Sequence, residues 1–140
     1  MAIQPSPIGD PAYSDNFPRI PESAHAARHL VASALHVWGL DRLVDSAGLV
    51  VTELVANAAL HARQDTVEVT VTLRAPDLVR VAVADRSRKM PELHKAADGD
   101  EHGRGLTIVD ALCDGRWDVD RLRSGKRVWA ELLAPEGDAR

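Results

Sequence analysis

"VTELVANAALHA", residues 51–62, is the segment on which the fold prediction depends. Its apolar residues recur at the three- and four-residue steps of an α-helix, which predicts a helix from about residue 41 to residue 61. The predicted helix has an apolar stripe that consists of Val44, Ala47, Val51, Leu54, Val55, Ala58 and Ala62. Glu53 and Asn57 stand one turn apart beside this stripe, where a soluble helix normally carries leucine or valine.

This polar pair has two interpretations. At about 100° per residue, Asn57 lies about 40° from Glu53 around the helix, so both side chains flank the stripe rather than face bulk water. An ionised carboxylate in such a place is costly unless it is paired or bound to a cation. Either Glu53 has a basic partner and Asn57 bonds locally, or the two form part of a ligand site. The helix alone does not separate these alternatives.

The chain before this helix contains an arm and a first helix. Residues 1–19 carry four prolines and little periodicity, so we expect a loosely held N-terminal arm, the alternative being an ordered strand on a neighbouring element. A proline suits the first turn of a helix, and apolar residues then recur at helical spacing from Pro21 until Gly39. The folded domain is therefore expected to span residues 20–134, followed by a frayed tail at 135–140.

The second half of the chain alternates between apolar and polar residues. This alternation predicts strands at 66–73 and 79–83 around a turn at Pro76, and a closing hairpin of 116–122 and 126–133. Short turns between consecutive strands imply antiparallel pairing. We therefore predict an α+β fold: a two-layer α/β sandwich whose mixed, mostly antiparallel sheet is covered on one face by helices.

Composition limits the class of function. The chain has 140 residues, 45% of them hydrophobic, and a formal net charge of -4, so it is expected to form one globular domain without direct nucleic-acid or membrane binding. Cys113 is the only cysteine, which excludes an internal disulfide and favours a reducing, cytoplasmic location. The first residues lack a signal-peptide pattern, and we expect no stretch that spans a bilayer.

Two further features could bind a nucleotide. Asp85 shares the strand parity of Val79, Val81 and Val83, so it is predicted to point inward, where a carboxylate can accept a hydrogen bond from an exocyclic amine such as that of adenine. The alternative is an aspartate that caps the next turn. "GRGL", residues 103–106, is predicted to be a glycine-rich turn that opens a helix, where backbone N–H groups attract phosphate. The charged segment 86–102 between them is predicted to be a functional loop.

In chain order these features resemble the Bergerat-type ATP-binding domain of histidine kinases, type II topoisomerases, the Hsp90 chaperone and bacterial anti-sigma-factor serine kinases. "ELVANAALHA" matches the N-box of that family, "VAVADRS" stands where its first Gly box stands, and "GRGLTIV" matches its second Gly box. The resemblance extends over roughly Pro21 to Leu133. Within the family, the small size and the terminal "GKRVWAEL" strand are most similar to the anti-sigma-factor serine/threonine kinases.

The resemblance implies a role for each site residue. Asn57 would bind Mg²⁺, Glu53 would be the general base for a serine hydroxyl or water, and Asp85 would bind the adenine amino group. The backbone around Gly103, Arg104, Gly105 and Leu106 would hold the phosphates, and segment 86–102 would cover the nucleotide. The cofactors implied are ATP and Mg²⁺. The partners implied are a sigma factor, a STAS-domain anti-anti-sigma protein and a second copy of the chain in a homodimer.

One departure from the family pattern affects the expected activity. The first Gly box usually reads D-x-G-x-G, but Asp85 is followed by Arg86, Ser87, Arg88 and Lys89, so both glycines are missing. Ser87 can still donate a hydrogen bond near the adenine, whereas the backbone is less able to approach the ligand. Two alternatives therefore stand beside the kinase: a non-catalytic ATP-binding module that captures a partner, and a sensor-type kinase or ATPase fragment.

Overall fold

The computed structural model describes residues 2–3, 9–61, 66–85 and 101–135, with residues 2, 3, 61 and 101–104 as backbone alone. The strands and helices follow in the order β1 (Ala2–Ile3), β2 (Ala12–Pro18), α1 (Ser23–Val37), α2 (Val44–His61), β3 (Thr66–Ala75), β4 (Leu78–Asp85), α3 (Glu101–Leu112), β5 (Trp117–Leu122) and β6 (Gly125–Leu133), and a 3₁₀ turn (Asp41–Leu43) precedes α2. The first two predicted helices, the predicted strand pair and the closing hairpin are present within a few residues of the expected limits.

The six strands form one sheet in the order β1-β2-β3-β4-β6-β5. Every pairing among the described strands is antiparallel, so the sheet contains no parallel component in this part of the chain. The predicted α+β class and two-layer architecture are confirmed. The antiparallel order follows from the short turns, because two residues separate β3 from β4 and two separate β5 from β6.

The prediction of a loosely held arm over residues 1–19 is wrong for residues 12–18. These residues form β2, which pairs with β3 along its whole length from Ala12 opposite Thr72 to Pro18 opposite Thr66. Pro11 and Pro18 lie just before the strand and at its last position, where a missing N–H removes little of the ladder. The prolines therefore delimit a strand rather than prevent one, and the ordered alternative describes this segment better.

The core lies between one face of the sheet and the helices. The alternation in β3 and β4 buries Val67, Val69, Val71, Val79, Val81 and Val83, and α2 supplies Ala47, Val50, Val51, Leu54 and Val55 to the same core. Burial of each valine or leucine side chain stabilises the fold by roughly 1.5–3 kcal/mol. Packing of α2 against α1 and the sheet thus fixes the positions of the polar residues that α2 carries.

The segment Asp41–Leu60 is long and apolar enough to cross a membrane by length and composition, with a mean hydropathy of 1.5. The sequence-based expectation of no such stretch is therefore wrong on those two criteria. Its apolar residues are, however, the core residues of α2, which a buried helix of a globular protein requires as much as a membrane span does.

The structure also moves the start of α3. This helix begins at Glu101, so residues 101 and 102 belong to it rather than to the predicted loop at 86–102. Gly103 and Gly105 consequently lie in the first turns of the helix instead of in a turn before it. The remainder of the predicted loop, 86–100, lies outside the described residues.

Candidate functional site

Glu53 and Asn57 lie on α2 at the border between the core and solvent. Leu54 and Val55 between them are buried, whereas Glu53 and Asn57 are each partly exposed. Leu49 and Leu60, one turn before and almost one turn after the pair, have exposed fractions of 51% and 52%. This side of α2 therefore combines a carboxylate, an amide and two uncovered leucines, which is a surface suited to a ligand with both polar and apolar parts.

The environment of Glu53 favours its neutral form. Burial raises the pKa of this carboxyl above its ordinary value of 4.5, because a charge is less well solvated there than in water. In the described part of the chain, no hydrogen bond or ion pair reaches Glu53 or Asn57. The interpretation in which Glu53 has a basic partner is thus not supported by the described residues. A carboxyl with a raised pKa and no partner is a candidate general base.

Gly105 of α3 is in close contact with Glu53. A Cβ atom at position 105 would lie 2.8 Å from Oε1 of Glu53, which is closer than side-chain carbons approach such an atom. The absence of a side chain at Gly105 therefore allows α3 to pack against α2 at the carboxylate. The structure brings together the N-box helix and the glycine-rich start of α3, as the two motifs would require in one site.

Asp85 points inward at the end of β4, as its strand parity predicts, but it already has a partner. Its Oδ1 accepts a hydrogen bond of 3.0 Å from Nζ of Lys126 on β6. Both side chains have an exposed fraction of 1%, so this is a buried ion pair. Asp85 also lines a pocket of about 260 Å³ at this end of the sheet, together with residues that include Thr66, Ala84 and Ser124.

Lys126 is the functional candidate that sequence reasoning missed. A single lysine beside the hairpin glycine is usually solvated, so its residue type gives no sign of burial. Its parity does give a sign, because Lys126 shares a face with Val128, Ala130 and Leu132, all of which are buried. A lysine at an inward position directly opposite an inward aspartate in adjacent strands predicts this ion pair.

The remaining predicted site residues differ in what the structure says of them. Ser87 lies outside the described residues. Gly103 and Arg104 are placed by their backbone at the start of α3, near the N–H groups that a helix leaves without internal partners. The Leu106 side chain is buried, so only its backbone is available for a ligand. Whether these residues contact phosphates stays a prediction.

The residues present fit a metal-bound nucleotide. Asn57 is partly exposed and carries an amide oxygen, a ligand type that Mg²⁺ accepts, and the carboxylate of Glu53 stands one turn away. The first turns of α3, which attract anions, pack against Glu53 at Gly105.

Comparison with known proteins agrees with this arrangement. Residues 17–132 match the model of a family described as "Histidine kinase-like ATPase domain". Among solved structures, the chain is similar to the histidine kinase domain from the blue-light activated histidine kinase of Erythrobacter litoralis EL346, with a TM-score of 0.51 and 20% identity. That match covers 89% of this chain and 67% of the other, and it shows a shared fold. No curated protein matches the chain.

Proposed function

Because the chain belongs to the histidine kinase-like ATPase domain family, we propose that it is an ATP-binding regulator of the anti-sigma-factor type with serine/threonine kinase activity. In this proposal it sequesters a sigma factor in the cytoplasm and phosphorylates a STAS-domain antagonist. The observation that carries the proposal is the contact between Glu53 of the N-box helix and Gly105 of α3, which joins the two motifs of the family pattern.

Bound ATP would supply the phosphoryl group, and the residues of this chain would position it. Asn57 would hold Mg²⁺ through its amide oxygen, and the backbone at the start of α3 would hold phosphate oxygens. Glu53 would accept the proton of the serine hydroxyl, a role for which the raised pKa of its carboxyl makes it a stronger base than a solvated glutamate. No other base is needed for the transfer, since phosphoryl transfer depends mainly on positioning and charge.

A surface on α1 and α2 supports the partner-binding half of the proposal. A groove of about 380 Å³ runs between these helices and is lined by His25, Arg28, His29, Ala32, Val44, Asp45, Gly48 and Leu49. The Arg28 guanidinium Nε lies 3.6 Å from where a Cβ of Gly48 would be, so the arginine lies against α2 at ordinary van der Waals distance. A groove lined by histidine, arginine and aspartate side chains together with apolar residues suits a helix that carries both charged and apolar residues.

The kinase proposal is tested by incubation of the protein with γ-labelled ATP, Mg²⁺ and the STAS protein. We expect acid-stable label on serine or threonine with the wild type, and a loss of at least about a hundredfold with Glu53→Gln, which keeps the shape but cannot accept the proton. Glu22→Gln, at an exposed position just before α1, is the matched control and should retain the wild-type rate. Bound ATP without any label on the STAS protein would reject the kinase activity.

A second candidate function is stoichiometric capture of a partner without phosphotransfer. It is favoured by the two missing glycines of the first Gly box. Under this alternative, Glu53→Gln would leave regulation of the sigma factor unchanged in a transcription assay. Under the kinase proposal, the same variant would leave the antagonist unphosphorylated and able to compete for the protein, so more of the sigma factor would be released.

A further inference from the structure

The ammonium group of Lys126 has more hydrogen-bonding capacity than its bond to Asp85 uses. Lys126 has the largest side chain among the residues that are almost fully buried, with an exposed fraction of 1%. Its ammonium group carries three N–H donors, and in the described part of the chain one of them is donated to Oδ1 of Asp85. A buried ammonium normally satisfies its donors, because each unmet donor costs free energy.

The pair is also placed at the expected ligand site rather than in the middle of the core. Asp85 is the last residue of β4, and Lys126 is its direct neighbour at the second position of β6. Replacement of a buried ion pair by apolar residues is often neutral or stabilising, so stability alone does not account for a lysine here. A carboxylate accepts up to about four hydrogen bonds, more than the one that Lys126 donates to Asp85.

We propose that Lys126 and Asp85 together bind the nucleotide base and recognise adenine, with Lys126 as the hydrogen-bond donor and Asp85 as the acceptor. This inference rests on the proposed function. Adenine presents an amine donor at C6 and an acceptor at the adjacent ring nitrogen N1, which match the carboxylate of Asp85 and the ammonium of Lys126. Guanine presents the inverse pattern, an oxygen acceptor at C6 and a donor at N1, and would face like groups. The pair therefore selects adenine over guanine.

This assignment also gives a physical reason why the altered first Gly box is tolerated. Without its glycines, the backbone after Asp85 is less able to approach the base. A lysine side chain that reaches the base edge from the neighbouring strand β6 supplies a hydrogen bond that does not depend on that approach. A hydrogen bond from a charged donor is stronger than one from a neutral donor.

Calorimetry with two nucleotides tests the inference without relying on a variant. The wild type is titrated with ATP and with 1-deaza-ATP, in which a C–H group replaces N1 and the amine is retained. We expect the wild type to bind 1-deaza-ATP about ten- to a hundredfold more weakly. Equal binding of the two nucleotides would overturn the role of Lys126 and leave the proposed function intact. Binding of neither would overturn both proposals.

A double-mutant cycle between residue and ligand then identifies the donor. Lys126→Met should weaken ATP binding about ten- to a hundredfold and remove the difference between ATP and 1-deaza-ATP. Arg127→Met, on the next residue and the opposite face of β6, should leave that difference unchanged. If Lys126 had a structural role alone, Lys126→Met would weaken the binding of both nucleotides equally. The ratio of their dissociation constants would then stay at the wild-type value, which would contradict the proposal. Should Lys126→Met fail to fold, Lys126→Arg is expected to retain the preference for ATP, and loss of that preference would also contradict it.

Discussion

Glu53 occupies a position on α2 where leucine or valine would pack without an electrostatic cost. Burial raises the pKa of its carboxyl because the ionised form is poorly solvated, and no described residue compensates for the charge. Folding therefore favours the neutral form of the Glu53 carboxyl, and the ionised form destabilises the folded state. A residue that lowers stability at neutral pH and has no structural partner is typical of a functional site.

The pH dependence of stability follows from the upward direction of the Glu53 pKa shift. A carboxyl whose pKa is higher in the folded state binds protons more tightly there, so its favourable contribution is present at low pH and is lost as pH rises through the raised pKa. We expect Glu53→Gln to raise the midpoint of thermal unfolding at neutral pH and to have little effect below the ordinary pKa of 4.5. Scanning calorimetry from about pH 4 to about pH 8 checks this, with Glu68→Gln as control. A stabilisation that is independent of pH would show that the charge is not the cause.

The same pKa shift predicts the acid limb of the kinase rate. Glu53 acts as a base only when it is ionised, so the rate of phosphotransfer should rise with pH through the raised pKa of this group. The midpoint of this limb is expected above 4.5, and single-turnover rates measured across that range locate it. A rate that is flat through the whole acidic range would indicate that Glu53 does not accept the proton.

Gly105→Ala should separate stability from activity. The added Cβ would lie 2.8 Å from Oε1 of Glu53, and a flexible side-chain end can move away at little cost. Alanine also favours the helical state by about 0.5–1 kcal/mol over glycine, so we expect no net loss in the free energy of unfolding. Displacement of the carboxylate should nevertheless lower the rate of phosphotransfer by about tenfold to a hundredfold. Ile108→Ala, on the exposed side of α3, is the control for activity, and an unchanged rate in Gly105→Ala would contradict the assignment of Glu53.

At the scale of elements, α1 and α2 pack closely where side chains are small. Gly48 lies inside α2 and Arg28 of α1 rests over it, at a distance that is ordinary van der Waals contact for an added Cβ. Gly39, by contrast, lies after α1 with φ of 72°, in the left-handed region that favours glycine. The two glycines therefore differ in setting. Gly48 lies in a helix interior beside a side chain of α1, whereas Gly39 lies at a helix end in a backbone conformation that favours glycine.

This contrast yields a matched pair of substitutions. Gly48→Ala should stabilise the protein by about 0.5–1 kcal/mol, because alanine is the better helix former and the space is sufficient. Gly39→Ala should destabilise it by about 1 kcal/mol, because the left-handed backbone conformation is unfavourable for a residue with a Cβ. Urea denaturation measures both free energies of unfolding. Destabilisation by Gly48→Ala would mean that Arg28 cannot adjust and that the α1–α2 contact is tighter than the structure indicates.

The periodicity of apolar residues predicted most helices and strands, but it did not predict the strand β2. The stripe of α2 and the alternation of β3 and β4 follow directly from burial of one face, so they were recoverable from the sequence. The strand β2 was not recovered because its apolar signal is weak. Its core-facing residues Tyr13, Asp15 and Phe17 include a carboxylate. On the other face, the buried residue Ser14 is polar and forms a 3.1 Å hydrogen bond with Thr70. Such a strand is specified by its partner β3 and leaves little hydrophobic signal of its own.

At the scale of the whole molecule, the N-terminal segment is part of the sheet and protects it. The strand β2 covers the edge of β3, which would otherwise present unpaired backbone groups to solvent. Tyr13 and Phe17 of this strand pack against the core, and Tyr13 contacts Trp38 with ring centroids 5.6 Å apart. The fold thus depends on residues that composition alone assigns to an arm.

Truncation tests this dependence. A chain that starts at Gly9 should unfold at nearly the same urea concentration as the full chain, because it retains β2. A chain that starts at Arg19 should lose on the order of 3 kcal/mol or more, since the aromatic contacts and the β2–β3 ladder are removed. It should also aggregate more readily through the exposed edge of β3. Equal stability of the two truncated chains would restore the interpretation of residues 1–19 as an arm.

The contact of Gly105 with Glu53 makes the position of α3 and the protonation of one carboxyl mutually dependent. A movement of α3 away from α2 would hydrate the carboxyl and weaken its hold on a proton. By reciprocity, uptake of a proton at Glu53 favours the closed contact. Under the proposed function, the helix that would hold the phosphates and the group that would accept the proton are coupled, so protonation of Glu53 and its contact with Gly105 favour each other.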